Sequence, residues 1–235
     1  MSPESRSVLV TGANRGLGLE FARQYAAEGW QVFAACRDPG KARDLNRLGA
    51  GSDGRIRVLG LDVTDTTSVR AAATELKGEP IDLLLNNAGI GDRGNHQLGR
   101  LDYAAWMKVL DTNSLGPMRI TEAFLENVAG SELKRIVTIT SGMGSIADNT
   151  SGGRFAYRSS KTAVNMVMKS LAIDLAPRGI ICIVMNPGWV RTDMGGSDGK
   201  MSPAESIQAM RSVIAALKPG DSGKFLNYNG KTYPW

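Results

Sequence analysis

Short runs of Val, Ile and Leu alternate along the chain with longer amphipathic stretches, and few architectures accept that order. The runs are SVLVT (7–11), QVFAAC (31–36), IRVLGLD (56–62), DLLLNN (82–87), RIVTITS (135–141), IICIVMN (180–186) and GKFLNYN (223–229). Most are apolar without alternation, as strands buried on both faces of a sheet should be. Helical periodicity falls between them, at 16–28, 40–48, 66–77, 102–128, 154–177 and 203–217. Strands joined by crossover helices form a parallel sheet, and right-handed crossovers make it doubly wound. Ligands of such α/β sheets sit beyond the carboxyl ends of the strands. The segments just after residues 11, 36, 62, 87, 141 and 186 are therefore the places to look.

No composition break, Pro-rich linker or repeat divides the 235 residues, so a single domain over 1–235 is expected. Hydrophobic residues at 42% with 22% charged exclude a mainly disordered chain. No apolar run approaches the roughly 18 residues that span a bilayer. The start, MSPESRSVLV, has no charged head followed by an apolar stretch of secretory length, so a cytoplasmic protein without membrane contacts is expected. Cys36 and Cys182 lie inside apolar runs and suit buried thiols better than a disulfide. Zinc needs about four ligands, and with His96 the sole histidine no metal is expected. His96 itself, in GDRGNHQLG, reads as a solvated loop residue. The net charge of +5 comes from scattered Lys and Arg, which argues against nucleic acid and for an anionic small molecule or a merely solvated surface.

TGANRGLG, residues 11–18, joins the first strand to a helix. Gly12, Gly16 and Gly18 permit a tight turn and close approach to a pyrophosphate, whose charge the helix N-terminus favours. The spacing is G-x-x-x-G-x-G, not the G-x-G-x-x-G fingerprint. After the second strand, where NAD enzymes place an acid, stands Arg37 in AACRDP. Arg15 can converge on the same point, and two planar guanidiniums suit a ribose 2′-phosphate, so NADP(H) is preferred to NAD(H). Two solvated arginines, with Asp38 neutralising Arg37, is the competing reading. Asp62 is placed to accept from an adenine amino group, or else to cap the helix that begins near Asp65. NNAG, residues 86–89, follows the fourth strand, where Ala88 and Gly89 let a flat ligand approach, unless it is only an Asn/Gly turn.

Tyr157 and Lys161 stand four positions apart in FAYRSSK and so share one helix face. An exposed polar face has the same spacing. Ser141 closes the fifth strand at the same edge of the sheet, and is preferred to Ser145, Ser159 and Ser160 for that position.

TGANRGLG, NNAG, Asn113, Ser141, the Y-x-x-x-K of Tyr157 and Lys161, and Pro187-Gly188 occur in order over almost the whole chain and together resemble the short-chain dehydrogenase/reductase family. NRGLGLEF, CRDP, NPGWVRTDMGG and GKFLNYNGKTYPW look like its C-factor and Sniffer-type carbonyl reductase branch. The resemblance implies one Rossmann-type domain with a seven-stranded parallel sheet in the order 3-2-1-4-5-6-7, flanked by helices. It implies cofactor contacts from Gly12, Asn14, Arg15, Gly16, Leu17 and Gly18, from Arg37, Asp62 and Val63, and from Asn87, Ala88 and Gly89. Pro187, Gly188, Val190 and Thr192 would wrap the nicotinamide, and Tyr157 and Lys161 would also touch the cofactor. As catalytic residues it implies Asn113, Ser141, Tyr157 and Lys161. Tyr157 would protonate a carbonyl oxygen as hydride arrives, and Ser141 would hydrogen-bond the same oxygen. Lys161 would lower the phenol pKa and hold the ribose, and Asn113 would keep a water in line with Lys161. Asn113 has the further reading of a polar residue that bends its helix.

The Gly-rich DMGGSDGKMSP reads as a small mobile lid, and Trp189, Met143 and Met194 as apolar walls, which favours a small or loosely specified aldehyde, ketone or quinone. The helices 102–128 and 154–177 are those this family uses for pairing, so a homodimer, or a tetramer, is expected, with Val164, Val167, Met168 and Leu171 on the paired stripe or against the sheet. The expected activity is an NADPH-dependent carbonyl reductase. The alternative is a signalling or regulatory protein that uses NAD(P)H as a sensed or structural ligand.

Overall fold

The computed structural model describes residues 6–92 and 98–235. The reading of His96 and that of the first five residues lie outside them. Seven parallel strands form one sheet in the order β3-β2-β1-β4-β5-β6-β7. They are β1 Ser7–Thr11, β2 Gln31–Cys36, β3 Ile56–Gly60, β4 Leu83–Asn86, β5 Arg135–Ile139, β6 Ile181–Asn186 and β7 Phe225–Asn227. The helices are α1 Gly16–Ala27, α2 Arg43–Ala50, α3 Thr66–Glu75, α4 Tyr103–Leu110, α5 Gly116–Ala123, α6 Leu125–Ala129, α7 Phe155–Asp174 and α8 Pro203–Ala215.

The pleat divides each apolar strand between two cores. Val8 and Val10, Leu83 and Leu85, and Ile181 and Ile183 face α1, α2 and α8, packing on Phe21, Leu45 and Ile207. Leu9, Leu84, Cys182 and Val184 face the other way, onto Val69, Phe124, Val164 and Met168 of α3, α5, α6 and α7 or their junctions. Phe21 and Phe124 are fully buried, and each stabilises the fold by roughly 1.5–3 kcal/mol by leaving water. Both cysteines are free and buried, and burial raises both thiol pKa values, Cys182 to about 12. Among the described residues, no helix is long and apolar enough to cross a membrane.

Caps fix where several helices start. Asp65 accepts from the Thr67 amide at the head of α3, Asp102 from Ala105 at the head of α4, and Ser202 with Glu205 forms a capping box at α8. Two expected elements differ. The single helix over 102–128 is α4, a π turn at Asp111–Leu115, α5 and α6. Pro117 has no N–H for the Asn113 carbonyl four residues back, and the register slips so that Gly116 N–H donates to Asp111 instead. The fifth strand stops at Ile139 rather than at Ser141, because Ser141 instead starts a 3-10 turn over Gly142–Gly144. In the expected pairing stripe, Val164 and Met168 belong to the core and Leu171 packs on it, and Phe155, Met166 and Ile173 are the large exposed apolar residues of α7.

Candidate active site

Strand ends β1 and β4 are stitched together by one threonine. The Thr11 hydroxyl accepts from the Asn87 amide at 3.0 Å and the Ala88 amide at 3.1 Å and donates to the Leu85 carbonyl at 3.3 Å. The Asn87 side chain donates to the Thr11 carbonyl at 2.8 Å and the Gly12 carbonyl at 3.3 Å, so its amide braces the loop. A Cβ on Gly12 would lie 2.9 Å from Ala88 Cα, and one on Gly18 would run into the Gly12 carbonyl oxygen. Gly16 has φ +56°, and a Cβ there would meet nothing nearer than Thr192 Cγ2 at 3.9 Å. Arg15 is the extended N-cap of α1, whose first turn has no side-chain cap. The first turn of α1 thus lacks a side-chain cap beside a cradle that only glycine allows, which fits a pyrophosphate. Asn14 is exposed at the turn and Leu17 packs on the core.

At the adenosine end, Arg37 is exposed, and Asp38 pairs with Lys41 at 2.7 Å, not with Arg37. Arg15 does not join Arg37: its Nη1 is 2.6 Å from Asp193 Oδ2. Asp62 accepts from the Thr64 amide at 2.9 Å and the Thr64 hydroxyl at 2.7 Å. The cap of α3 falls to Asp65. Val63 is buried against Gly116. Strands β1 and β4 lie between β2 and β5, so Arg37 and Ser141 follow strands roughly 14 Å apart. That span accommodates an extended dinucleotide.

At the chemical end, α7 begins beside residues that the sequence did not single out. Arg154, in the left-handed region at φ 51°, pairs through Nε with Asp92 Oδ1 at 2.8 Å. Asp92 also accepts from the Tyr157 amide at 3.3 Å. Burial raises the Tyr157 phenol pKa, Ser141 hydrogen bonding and the Arg154 charge oppose that, and Asp92 adds to it. Lys161 stands beside the phenol. Its Nζ lies 5.8 Å from the centre of the Tyr157 ring and donates to the Ile139 carbonyl at 2.9 Å. Burial lowers its own pKa to about 8. The two residues share a site, yet each is shifted first by desolvation.

Ser141 Oγ accepts from the Met143 amide at 3.1 Å and faces the Tyr157 phenol. The other serines are engaged elsewhere: Ser145 with Trp235, Ser159 with Trp106, Ser160 with Asn113 and the Tyr157 carbonyl. Asn113 is buried in the π turn. Its Nδ2 donates to the Ile90 carbonyl at 2.9 Å and to Ser160 Oγ at 3.0 Å, and its Oδ1 accepts from the Ile90 amide at 2.9 Å. The side chain therefore clamps the loop after β4 to α7, with both Nδ2 hydrogens engaged. A Cβ on Gly89 would lie 3.3 Å from Asn113 Oδ1 and 3.6 Å from Lys161 Nζ. Gly89, Asn113 and Lys161 thus meet at one point.

The segment after β6 is tied rather than loose. Ser206 donates to the Pro187 carbonyl at 2.7 Å, and Gly188, at φ +81°, leaves room for Tyr228 and Met201. Val190 pairs with Met201 and Thr192 with Gly196, and the Trp189 indole donates to the Gly195 carbonyl at 2.8 Å. Cβ atoms on Gly195 or Gly199 would collide with the backbone of Val190 or Arg191. These glycines serve close packing, and the expected mobile lid is a doubled-back loop that reaches the phosphate loop through Arg15–Asp193. A cavity of about 910 Å³ opens here, lined by Arg15, Ile90, Asp92, Trp106, Phe155 and Met194 among others. Met194 lines this cavity, whereas Trp189, Met143, Ser141 and Tyr157 do not. Trp106 and Phe155, stacked at 6.5 Å, line it as well. Their signal was available only as aromatics at the starts of two helices.

This arrangement can hold a dinucleotide across the strand ends and a carbonyl against a phenol and a serine hydroxyl. The family model for short chain dehydrogenase matches residues 6–203. The C-signal of Myxococcus xanthus is 43% identical over 167 residues, 71% of this chain and 100% of its own. The carbonyl reductase Sniffer of D. melanogaster is 31% identical with a TM-score of 0.92, covering 99% of this chain and 100% of that one. The NADPH-bound carbonyl reductase from chicken fatty liver is 37% identical with a TM-score of 0.92, again covering 99% and 100%. With a family match that runs from the first strand into α8 and two structural matches over nearly the whole length, the chain belongs to the short-chain dehydrogenase family.

Proposed function

We propose that the chain is an NADPH-dependent oxidoreductase that reduces a small or loosely specified aldehyde, ketone or quinone, with Tyr157 as the proton donor. The observation that carries this reading is the partly buried Tyr157 phenol facing the Ser141 hydroxyl, with the Lys161 ammonium beside its ring. The likeness to carbonyl reductases, one of them NADPH-bound, supports the choice of substrate class and cofactor. Bound NADPH supplies the hydride. The glycine cradle and α1 hold its pyrophosphate, exposed Arg37 meets the 2′-phosphate, Asp62 and Val63 flank the adenine, and Lys161 binds the nicotinamide ribose. Pro187 to Thr192 line the nicotinamide. Ser141 donates to the carbonyl oxygen as negative charge builds on it. Tyr157, kept protonated by burial, gives up its proton to the nascent alkoxide, which is far more basic than a phenolate. A raised phenol pKa is thus compatible with reduction and unfavourable to the reverse reaction.

One domain carries both the cofactor and substrate sites in this reading, and the protein works in the cytoplasm as a homodimer. Exposed Tyr103 and Met107 on α4 and Met166 and Ile173 on α7 support the pairing. Tyr157→Phe is expected to lower kcat by roughly 10²- to 10⁴-fold, the range for loss of a general acid, while NADPH titrated by fluorescence binds as before. Wild-type turnover by that variant ends the mechanism. The likeness to C-signal favours a second reading, in which NAD(P)H is a sensed or structural ligand. A Tyr157→Phe protein that binds NADPH, turns nothing over and still restores the biological role would favour it.

A further inference from the structure

The ending GKTYPW has no part in the chemistry above, yet it folds back onto the serine turn. Tyr233 N–H donates to the Phe225 carbonyl at 2.7 Å, and the rings of Tyr233 and Trp235 stand 4.9 and 5.5 Å from that of fully buried Phe225. The Tyr233 hydroxyl donates to Asp148 Oδ2 at 2.6 Å. The Trp235 carbonyl accepts from the Ala147 amide at 2.9 Å and from the Ser145 hydroxyl at 3.2 Å, and Ser145 Oγ in turn accepts from the Asp148 amide at 3.0 Å. Between these anchors lies Gly142, the residue after Ser141. A Cβ there would sit 2.6 Å from the Tyr233 hydroxyl oxygen and 3.0 Å from Cζ.

The other side of the same turn is held by α7. Thr162 and Asn165 donate to the Gly144 carbonyl at 3.0 and 3.2 Å, and a Cβ on Gly144 would lie 2.9 Å from Lys161 Cβ. The turn that carries Ser141 is therefore gripped between the helix of Tyr157 and Lys161 and the strap that follows β7. We infer that Tyr233, anchored by Asp148, is a positioning residue that sets the Ser141 hydroxyl against Tyr157 from a strap 85 residues further along the chain than its carboxylate. The Asp148 carboxylate also holds the Tyr233 phenol pKa up to about 12, so the donor stays protonated through the neutral range. The inference rests on the reading that Ser141 hydrogen-bonds the substrate oxygen.

The test uses the full chain with NADPH and an o-quinone. Tyr233→Phe and Asp148→Ala keep the ring packing and lose the anchor. Each is expected to lower kcat by roughly three- to tenfold, within the hundredfold that a 1 Å misplacement can cost, with the NADPH Kd unchanged. Amide exchange at Met143, whose N–H is held by Ser141 Oγ, should quicken in both. Gly142→Ala should lose more activity, and adding Tyr233→Phe to it should restore part of the loss, because the nearest clashing atom is gone. Wild-type kcat with unchanged Met143 exchange in both anchor variants, or no recovery in the double variant, overturns the inference. Ser141→Ala separates the two levels. Wild-type turnover there removes the reading of Ser141 and the inference with it, whereas an inactive Ser141→Ala beside fully active anchor variants removes the inference alone.

Discussion

A lysine ammonium out of water with a backbone carbonyl as its acceptor is a destabilising feature of a folded protein. Lys161 is 5% exposed, and its pKa falls from 10.5 to about 8. Below pH 8 the residue is charged in both the folded and unfolded chain, and its desolvation is felt in full. Between about 8 and 10.5 the unfolded chain keeps a proton that the native chain has released, so the native state gains stability as pH rises through that window. The gap corresponds to roughly 3 kcal/mol at about 1.4 kcal/mol per pKa unit. Lys161→Met should therefore resist urea better than wild type at pH 7 without cofactor, with the advantage gone by about pH 10.5, and should be inactive. An advantage that does not shrink with pH would point to better packing instead. That Tyr157 and Lys161 share one helix face was legible from their spacing, but the same spacing fits an exposed polar face, and only the other motifs in order told the two apart. The direction of their pKa shifts was not legible, because desolvation depends on what the rest of the chain packs over them.

At the scale of elements, apolar patterning reported each strand and helix well but not where regular structure gives way to site geometry. The period over 102–128 is continuous, so the π turn is invisible to it. The signal was Pro117, four residues after Asn113. The lid expected from DMGGSDGKMSP shows the same limit, since composition does not distinguish glycines that loosen a backbone from glycines that let two backbones touch. Gly18 is of the second kind and belongs to the first turn of α1. A Cβ there would enter the Gly12 carbonyl oxygen and lie 2.5 Å from Asn87 Nδ2. Neither neighbour is the free end of a flexible side chain, because Asn87 is bound to both Thr11 and Gly12. Gly18→Ala must therefore push α1 away from the β1–β4 junction, with an expected loss of roughly 1–3 kcal/mol of stability and at least tenfold weaker NADPH binding. Calorimetric unfolding and a fluorescence titration measure the two effects. A variant that keeps wild-type values in both would mean that the loop yields more easily than its contacts imply.

Across the whole molecule, the sheet order places the loops after β1, β4, β5 and β6 side by side, and this was legible through the family resemblance, since right-handed crossovers alone admit other strand orders. What the order leaves open is which charges meet when those loops fold over the cleft. Arg15 and Asp193, separated by 178 positions, form the one ion pair that joins the phosphate loop to the segment after β6 among the described residues. Both side chains are more than half exposed, so the pair itself contributes about 1 kcal/mol or less. Its consequence lies in competition. Arg15 cannot serve a 2′-phosphate while its Nη1 is held by a carboxylate, and a second anion entering the cleft meets Asp193 as a like charge. Asp193→Ala should release the guanidinium and tighten NADPH by about two- to fivefold, the ratio that such a pair energy allows. NADH, which lacks the 2′-phosphate, should bind as before. The gain should fade as salt rises, since the contact is solvent-facing and screened over roughly 8–10 Å. If NADH tightens equally, the pair obstructs the cleft as a whole and Arg15 has no part in choosing the cofactor; if neither moves, Arg37 carries that choice alone.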